Sequence, residues 1–341
     1  MRGVAATAAG LLLALAGCTL PDPIRVLSFN IRYGTASDGP NAWPNRRPLV
    51  VQVIRDSAAD LVGLQEVLEF QAEELVAALP EYELIGVGRD DGARGGEMVP
   101  VMYLKKRFTL VNAGHFWLSQ TPENPGSVGW DAALPRLATW AHLRFRSNPL
   151  NEIRFINTHL DHRGVRARAE AARLIRNATD ALGGTAVIVT GDFNCAPGDE
   201  PHRVLTGDRG NAAELRDSYV ELGHSERGAG TFCNFRGETS GPRIDWILCN
   251  RRFDVVASDI IRFNADGRYP SDHFPVTATL RLRPATTSGV VRRATTGGAE
   301  PSERTQDFSH GCDGADCCLT VAARLERRMA TATTAGRSSC K

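Results

Sequence analysis

Apolar residues along the chain recur at two spacings, one typical of strands and one typical of helices. Short runs rich in Val, Ile, Leu and Phe predict buried strands, and apolar positions three or four residues apart predict helices. The predicted strands are 25–32, 60–65, 82–87, 99–104, 109–117, 138–145, 152–158, 186–190, 243–249, 253–263 and 276–282, and the predicted helices are 46–56, 67–78 and 165–181. This many strands with few helices predicts two packed sheets with helices outside them.

The same periodicity indicates how the chain is divided. It runs throughout residues 23–284, which predicts one large globular domain. After Leu282 the composition changes to Thr, Ser, Gly, Ala and Arg. Such a segment buries too little apolar surface to offset its ordering entropy, so residues 285–341 are predicted to be mostly disordered.

The N-terminus has the residue pattern expected of an export signal. Arg2 precedes a short apolar stretch, 4–16, which ends in Leu15-Ala16-Gly17-Cys18. The stretch is too short to span a bilayer comfortably and ends in small residues, which predicts a signal peptide at 1–18. Its ending resembles a bacterial lipobox, so we expect an exported protein attached to the cell envelope through a lipidated Cys18. An ordinary signal peptide that happens to contain a cysteine is the alternative.

Charge and cysteine content limit the classes of partner. The formal net charge is +1 and the pI is about 7.6, so the chain has no general basic excess of the kind that holds nucleic acid without sequence preference. Nucleic acid therefore stays a partner that the composition does not favour, and we expect a monomer. The spacing of the eight cysteines fixes no disulfide pairing.

Polar clusters follow several of the predicted strands, where side chains can be held rigidly at a common rim. Acids, amides and histidines gathered at one rim are what metal-assisted attack on phosphorus requires. The clusters are Gln65-Glu66, 157–162 (Asn-Thr-His-Leu-Asp-His), Gly191-Asp192-Phe193-Asn194 and Ser271-Asp272-His273.

Individual residue types suggest roles within this site. Glu66 offers the hard oxygen that Mg²⁺ prefers, and Asn30 can donate to a phosphate or offer its carbonyl to a metal. Asp192 and Asn194 are two residues apart, so both can reach one phosphoryl group or a second metal. His273 is a candidate general base because imidazole titrates near neutrality.

Taken together and in this order, the motifs resemble those of the endonuclease/exonuclease/phosphatase (DNase I-like) superfamily. The resemblance covers nearly the whole of residues 28–273 and implies a four-layered α/β sandwich, in which two mixed sheets are flanked by helices. It also implies a divalent-metal phosphoesterase site at one end of the sheets. Mg²⁺ is the implied ion, and Mn²⁺ is an alternative.

The resemblance assigns further roles. It implies that Glu66, Asn30 and Asp272 serve the metal, and that Asp245 orients His273. It also implies that His159 is a second catalytic histidine, oriented by Glu97. Some relatives carry an acidic ligand two positions after the Asn, where this chain has Arg32. One ion or two therefore both remain open, as does the choice of base between the His273–Asp245 pair and Asp192.

These parts predict a metal-dependent phosphoesterase in which activated water attacks a phosphodiester or phosphomonoester. Asn30, Asn194 and His159 would hold the developing charge. An extracellular nuclease is the nearest enzymatic alternative. A catalytically silent surface binding protein is an alternative from a different class, although none of the candidate catalytic residues has been lost.

Overall fold

The computed structural model describes residues 20–207 and 215–284. The predicted signal peptide with Cys18 and the predicted disordered tail, 285–341, lie outside the described residues. Within that range, Cys195, Cys233 and Cys249 are buried free thiols. No helix in the described part is long and apolar enough to cross a membrane.

In the described residues, twelve strands form two six-stranded sheets. The strands are β1 (Ile24–Asn30), β2 (Leu61–Gln65), β3 (Tyr82–Ile85), β4 (Val101–Leu104), β5 (Phe108–Trp117), β6 (Leu137–Phe145), β7 (Glu152–His159), β8 (Ala186–Asp192), β9 (Leu215–Asp217), β10 (Asp245–Asn250), β11 (Phe253–Ile260) and β12 (Val276–Leu282). Their order is β11-β12-β1-β2-β4-β3 in the first sheet and β5-β6-β7-β8-β10-β9 in the second.

Helices cover the outer faces of both sheets. They are α1 (Trp43–Ser57), α2 (Glu69–Ala78), α3 (Val165–Asp180), α4 (Glu200–Thr206) and α5 (Ser218–Glu221), with a short 3₁₀ turn at Gly39–Asn41. One core packs α1 and α2 on the first sheet, another packs α3 and α4 on the second, and a third lies between the sheets. The predicted four-layered α/β sandwich is confirmed.

Most predicted elements are present with shifted ends. Helix α1 begins at Trp43 rather than at residue 46, because Pro44 is well suited to a first helical turn, where its missing N–H costs nothing. Strand β4 begins at Val101, after Pro100. The short elements α4, β9 and α5 were not predicted, since three to seven residues are too few to show a periodicity.

Each sheet contains one parallel strand pair joined by a helix, and these two units position the site. Strand β1 lies parallel to β2 across α1, and β7 lies parallel to β8 across α3. Parallel neighbours end at the same edge of a sheet. The carboxyl ends of all four strands therefore lie at one rim of the sandwich, where the polar clusters follow.

Candidate active site

The strand register brings side chains from both sheets to the rim. Asn30 is paired with Gln65 at the end of one parallel pair, and His159 with Asp192 at the end of the other. Strand β10 runs antiparallel to β8 and begins opposite Asp192 with Asp245. Residues far apart in sequence are thus fixed together by backbone pairing.

Strands β2 and β8 are each followed by a residue in the left-handed region of backbone space. Glu66 has φ 60° directly after β2, and Asn194 has φ 50° two residues after β8. For residues other than Gly this conformation is uncommon and costs about 1–3 kcal/mol. The surrounding hydrogen bonds hold both residues in it, and both side chains line the cleft at the rim.

Asn30 links the acids of the two sheets. Its Nδ2 donates to Glu66 Oε1 at 2.9 Å and to Asp192 Oδ2 at 3.1 Å, while its Oδ1 accepts from the Arg32 backbone N–H at 3.0 Å. The amide orientation is therefore fixed, with nitrogen toward the carboxylates. As arranged here, Asn30 turns its amide nitrogen rather than its carbonyl toward the carboxylates, so the carbonyl considered as a metal ligand is directed to the Arg32 backbone.

His273 and Asp245 form a buried pair. His273 Nδ1 and Asp245 Oδ2 are 2.9 Å apart, which leaves His273 Nε2 directed toward Asp192 Oδ2, 3.8 Å away. Burial lowers the pKa of His273, but the adjacent Asp245 carboxylate outweighs this and raises the pKa well above its ordinary value. The predicted orienting contact is present.

Asp192 lies at the centre of the cluster. Its Oδ2 is 3.4 Å from His159 Nε2, and its Oδ1 accepts from the Asn194 backbone N–H at 2.9 Å. Burial and the charge of Asp245 raise the pKa of Asp192 to about 7. The pKa of Asp192 therefore lies well above that of an ordinary carboxyl group.

His159 is neutral in this arrangement. Asn194 Nδ2 donates to the Leu160 carbonyl at 3.0 Å and lies 3.0 Å from His159 Nε2. Because an amide nitrogen only donates, His159 Nε2 accepts, and the ring proton is on Nδ1. Burial and the nearby charge of Arg136 lower the pKa of His159 well below its ordinary value, in agreement with a neutral ring.

Glu97 does not form the predicted hydrogen bond to His159. Its Oε2 instead accepts from Arg89 Nη1 at 2.8 Å, because the two residues are paired through the backbone of one loop. Glu97 and His159 do line one small cavity of about 10 Å³. They are therefore neighbours, but the contact that holds His159 comes from Asn194.

The segment before β12 is joined to the end of β1. Ser271 Oγ donates to the Asn30 carbonyl at 2.7 Å, and Asp272 Oδ2 lies 3.7 Å from Arg32 Nη1. Burial raises the pKa of Asp272, and the charge of Glu66 raises it further against opposing contributions from His273 and Arg32. Asp272 and Glu66 are thus neighbouring carboxylates, as predicted for a cation site.

A buried arginine whose role the sequence did not reveal connects these two segments further. Arg46 on α1 donates to the backbone carbonyls of Ile31, Arg32, Asn41 and Pro270. It thereby ties the residues after β1 to the segment that carries Asp272 and His273. No sequence pattern distinguishes such a buried arginine from a solvated one.

The donor set fits a divalent cation. Four carboxylates, those of Glu66, Asp192, Asp245 and Asp272, gather at the rim, and Asp245 Oδ1 is buried with no hydrogen-bond partner. Carboxylate oxygens are the ligands that hard cations prefer. Ligand atoms of Asp192, Asp245 and His273 lie within 4.8 Å of one another, but an ion shared by these three would have to displace the short hydrogen bond between Asp245 and His273.

The cluster opens into a cleft of about 850 Å³. Three arginines line it: Arg32, Arg89 and Arg136. Arg136 is buried at the cleft rather than exposed on the surface. Arg89 was missed, since it lies in a glycine-rich loop with no motif around it.

Comparison with known proteins agrees with this arrangement. The model of the Endonuclease/Exonuclease/phosphatase family matches residues 27–273. A structure of a family member from Bacteroides thetaiotaomicron is 33% identical, with TM-score 0.70, and the match covers 78% of this chain and 100% of that one. A mannosyl-6-phosphatase from the same species is 34% identical, with TM-score 0.68, over 76% of this chain and 100% of that one.

A more distant relative is nocturnin of Drosophila melanogaster, which is 24% identical in an alignment of 323 positions that covers 80% of this chain. The chain spans about half of that protein's length, 49%. The family match covers most of the chain and includes every motif that the sequence singled out at the rim. The chain therefore belongs to the endonuclease/exonuclease/phosphatase family.

Proposed function

We propose that this protein is a divalent-metal-dependent phosphomonoesterase that hydrolyses a small phosphorylated molecule. The observation that carries the proposal is the buried His273–Asp245 pair, which faces Asp192 beside the carboxylates of Glu66 and Asp272. The mannosyl-6-phosphatase, similar over its whole length, favours a monoester over a diester.

Glu66 and Asp272 are the residues that would hold the cation. A bound Mg²⁺ supplies positive charge that polarises the phosphoryl group and lowers the pKa of water. Arg32 favours one ion over two, because its guanidinium lies 3.7 Å from Asp272 and 3.1 Å from Asp38. That positive charge disfavours a second cation at the same carboxylate.

His273 and Asp192 would manage the proton of the attacking water. Because their facing atoms are 3.8 Å apart and the charge of each group shifts the pKa of the other, the two groups titrate as a pair. Asp245 keeps the His273 proton on Nδ1, so that Nε2 faces the reacting side. The neutral His159, whose Nε2 accepts from Asn194, would donate to a phosphoryl oxygen or to the leaving group through its Nδ1 proton.

The test is hydrolysis of p-nitrophenyl phosphate, bis-p-nitrophenyl phosphate, mannose 6-phosphate and plasmid DNA, each with Mg²⁺ and with EDTA. We expect activity on the monoesters that EDTA abolishes and that Mg²⁺ or Mn²⁺ restores. Preference for the diester or for DNA would replace the monoesterase proposal by the nuclease alternative. Full activity in EDTA would contradict the metal dependence, and a folded protein inactive on all four would favour the binding-protein alternative.

We also propose export and lipid anchoring through Cys18, which rest on the sequence alone. The chain at Leu20 is only a few residues from the start of β1 at Ile24, so the anchor would hold the domain close to the membrane. We expect a Cys18→Ser protein to move from the membrane fraction to the soluble fraction. Unchanged membrane association would contradict the lipid anchor.

A further inference from the structure

We propose that Arg89 and Arg136 form a second anion-binding subsite beside the phosphoryl site, which selects substrates that carry a second anionic group. This inference rests on the proposed function, since in a phosphomonoester such a group belongs to the leaving group. Both arginines line the same cleft as His159, Asp192 and Asn194. Both also line the small cavity beside His159.

The two guanidinium groups are buried, which is expensive for a charge without full compensation. The side chains of Arg89 and Arg136 are only 10% and 6% exposed. The two positive charges repel one another. Burial, and with it the nearby charge of Arg89, therefore lowers the pKa of Arg136. A pair of buried cations on one wall of a cleft is therefore a place where an anion would be stabilised.

The nearby carboxylates neutralise the charges of Arg89 and Arg136 only in part. Arg136 Nε lies 3.4 Å from Asp161 Oδ2, a long contact, while Asp161 Oδ1 accepts from the backbone N–H groups of Arg163 at 2.9 Å and Gly164 at 2.7 Å. Asp161 is thus mainly a loop-capping residue. The loose contact leaves Arg136 only partly neutralised.

Arg89 also keeps unused donors. Its Nη1 donates to Glu97, but its Nε is buried with no hydrogen-bond partner, and the nearest acid, Asp90, is 3.8 Å away. Burying a donor unpaired costs about 1–3 kcal/mol. Within the described residues, neither Arg89 Nη2 nor Arg136 Nη1 donates to another group.

A histidine at the edge of the cleft adds a further donor. Arg136 Nη2 lies 3.1 Å from His162 Nδ1. Since a guanidinium only donates, His162 Nδ1 accepts, and its proton is on Nε2. Burial and the charge of Arg136 lower the pKa of His162, which agrees with a neutral ring that donates through Nε2.

Arg32 does not share this role, although it lines the same cleft. Its Nε and Nη2 donate to Asp38 at 3.1 Å, and Asp272 lies near its Nη1. The Arg32 donors are thus directed to acids of the protein, whereas Arg89 Nη2 and Arg136 Nη1 make no hydrogen bond within the described residues. The ligand class that fits the pair is a carboxylate or a second phosphoryl group.

Binding of non-hydrolysable phosphonates by titration calorimetry tests the subsite without requiring turnover. The probes are 3-phosphonopropionate, which has a second carboxylate, propane-1,3-bisphosphonate, which has a second phosphonate, and propylphosphonate, which has neither. We expect the wild type to bind 3-phosphonopropionate, propane-1,3-bisphosphonate or both at least about tenfold more tightly than propylphosphonate. The tighter of the two identifies the second group as a carboxylate or a phosphoryl group.

The variants are Arg89→Gln and Arg136→Gln, each expected to remove most of that preference, with Arg136→Lys expected to retain part of it. Arg173→Gln, an exposed arginine on α3 that pairs with Glu170, is the control for loss of one charge. Equal affinity of the wild type for all three probes would overturn the subsite. An equal loss on all three probes in the variants would also overturn it, because the pair would then bind the scissile phosphoryl group itself.

Failure of the proposed function would be seen separately. It would appear as absent hydrolysis of p-nitrophenyl phosphate by the wild type, whatever the phosphonate affinities. If Arg89→Gln fails to fold, Arg136→Gln and Arg136→Lys give the same comparison on the other member of the pair.

Discussion

The space between the two sheets is filled differently at its two ends. At the end away from the cleft the sheets meet through apolar side chains, among them Val26, Leu61, Phe155 and Ile188. Beneath the cleft they meet through a buried hydrogen-bond network, in which Gln65 Nε2 donates to Asn157 Oδ1 at 2.7 Å and Thr190 Oγ1 donates to the same oxygen at 3.0 Å.

Strand β7 shows the change along a single chain segment. Its alternate residues Ile153, Phe155, Asn157 and His159 run from the apolar core through the buried network to the site. Asn157 Nδ2 also donates to the carbonyls of Leu64 at 2.6 Å and Pro100 at 2.9 Å in the opposite sheet.

The difference shows that the two ends have different roles. The apolar end holds the two sheets together, and the polar end sets their alignment. Apolar burial is strong but has no direction, so it holds the sheets together without fixing their offset. Hydrogen bonds require defined distances and angles. The network beneath the site therefore fixes the position of Asn30 and Glu66 relative to His159 and Asp192.

The largest effect on activity is expected for a change in the active site itself, which lies directly above the polar end. Replacing His273 by Ala removes the group that faces Asp192, and we expect kcat/KM on p-nitrophenyl phosphate to fall about 10²–10⁴-fold. His224→Ala, an exposed histidine that packs on Tyr219, is the matched control and should retain activity. A fully active His273→Ala protein would contradict the assignment of the site.

Variants of Phe155 and Asn157 should distinguish the role of the apolar end from that of the polar end. Phe155→Ala leaves a cavity in the apolar end and should cost about 3–5 kcal/mol of unfolding free energy, with kcat nearly unchanged in the remaining folded protein. Asn157→Ala should cost less, about 1–3 kcal/mol for the groups left unpaired, but lower kcat severalfold because the sheets lose their alignment. Urea unfolding and steady-state kinetics measure both quantities, and a reversed pattern would contradict the division.

Gly63 on β2 faces the other sheet at the polar end, so a larger residue at this position would push the two sheets apart there. A Cβ at this position would overlap Thr190 Oγ1 and lie 2.6 Å from Asn157 Oδ1. We expect Gly63→Ala to reduce the unfolding free energy by about 1–3 kcal/mol and to lower kcat as well. Gly184→Ala, with nothing within 4 Å of the added atom, is the control and should be tolerated; equal effects of the two changes would contradict the tight fit.

The smallest effect should be a pH dependence outside the network, at Asp161. Burial tends to raise the pKa of Asp161, but backbone N–H groups of Gly164 and Arg163 outweigh it and lower the pKa to about 2. Because the folded pKa lies below the unfolded value of about 3.9, the stabilisation is present above pH 4 and is lost as the pH falls toward 2. We expect the Tm difference between wild type and Asp161→Asn to be constant from pH 5 to 7 and to shrink below about pH 4. A difference that stays constant over the whole range would show that the carboxylate charge does not contribute.

The sequence by itself determined the layers of the fold and the members of the site. Apolar runs on both faces of β1, β2, β7 and β8 indicated buried strands, and a polar motif at the end of each located the rim. These signals are local, since periodicity and strand-end motifs can be seen in a few neighbouring residues. The pairing of His273 with Asp245 came from family resemblance, and the structure shows that contact.

Only the tertiary structure decided which groups touch. The expected partner of His159 was Glu97, but Glu97 bonds to Arg89 in its own loop and Asn194 takes its place. The carbonyl of Asn30 is engaged by the Arg32 backbone, which no motif reveals. In the folded chain, buried Arg46 donates to backbone carbonyls of two segments, and Arg89 and Arg136 line one cleft. Contacts of this kind depend on distances between segments that are far apart in the chain, and those distances are set by strand register and sheet packing, which the local pattern of residues does not specify.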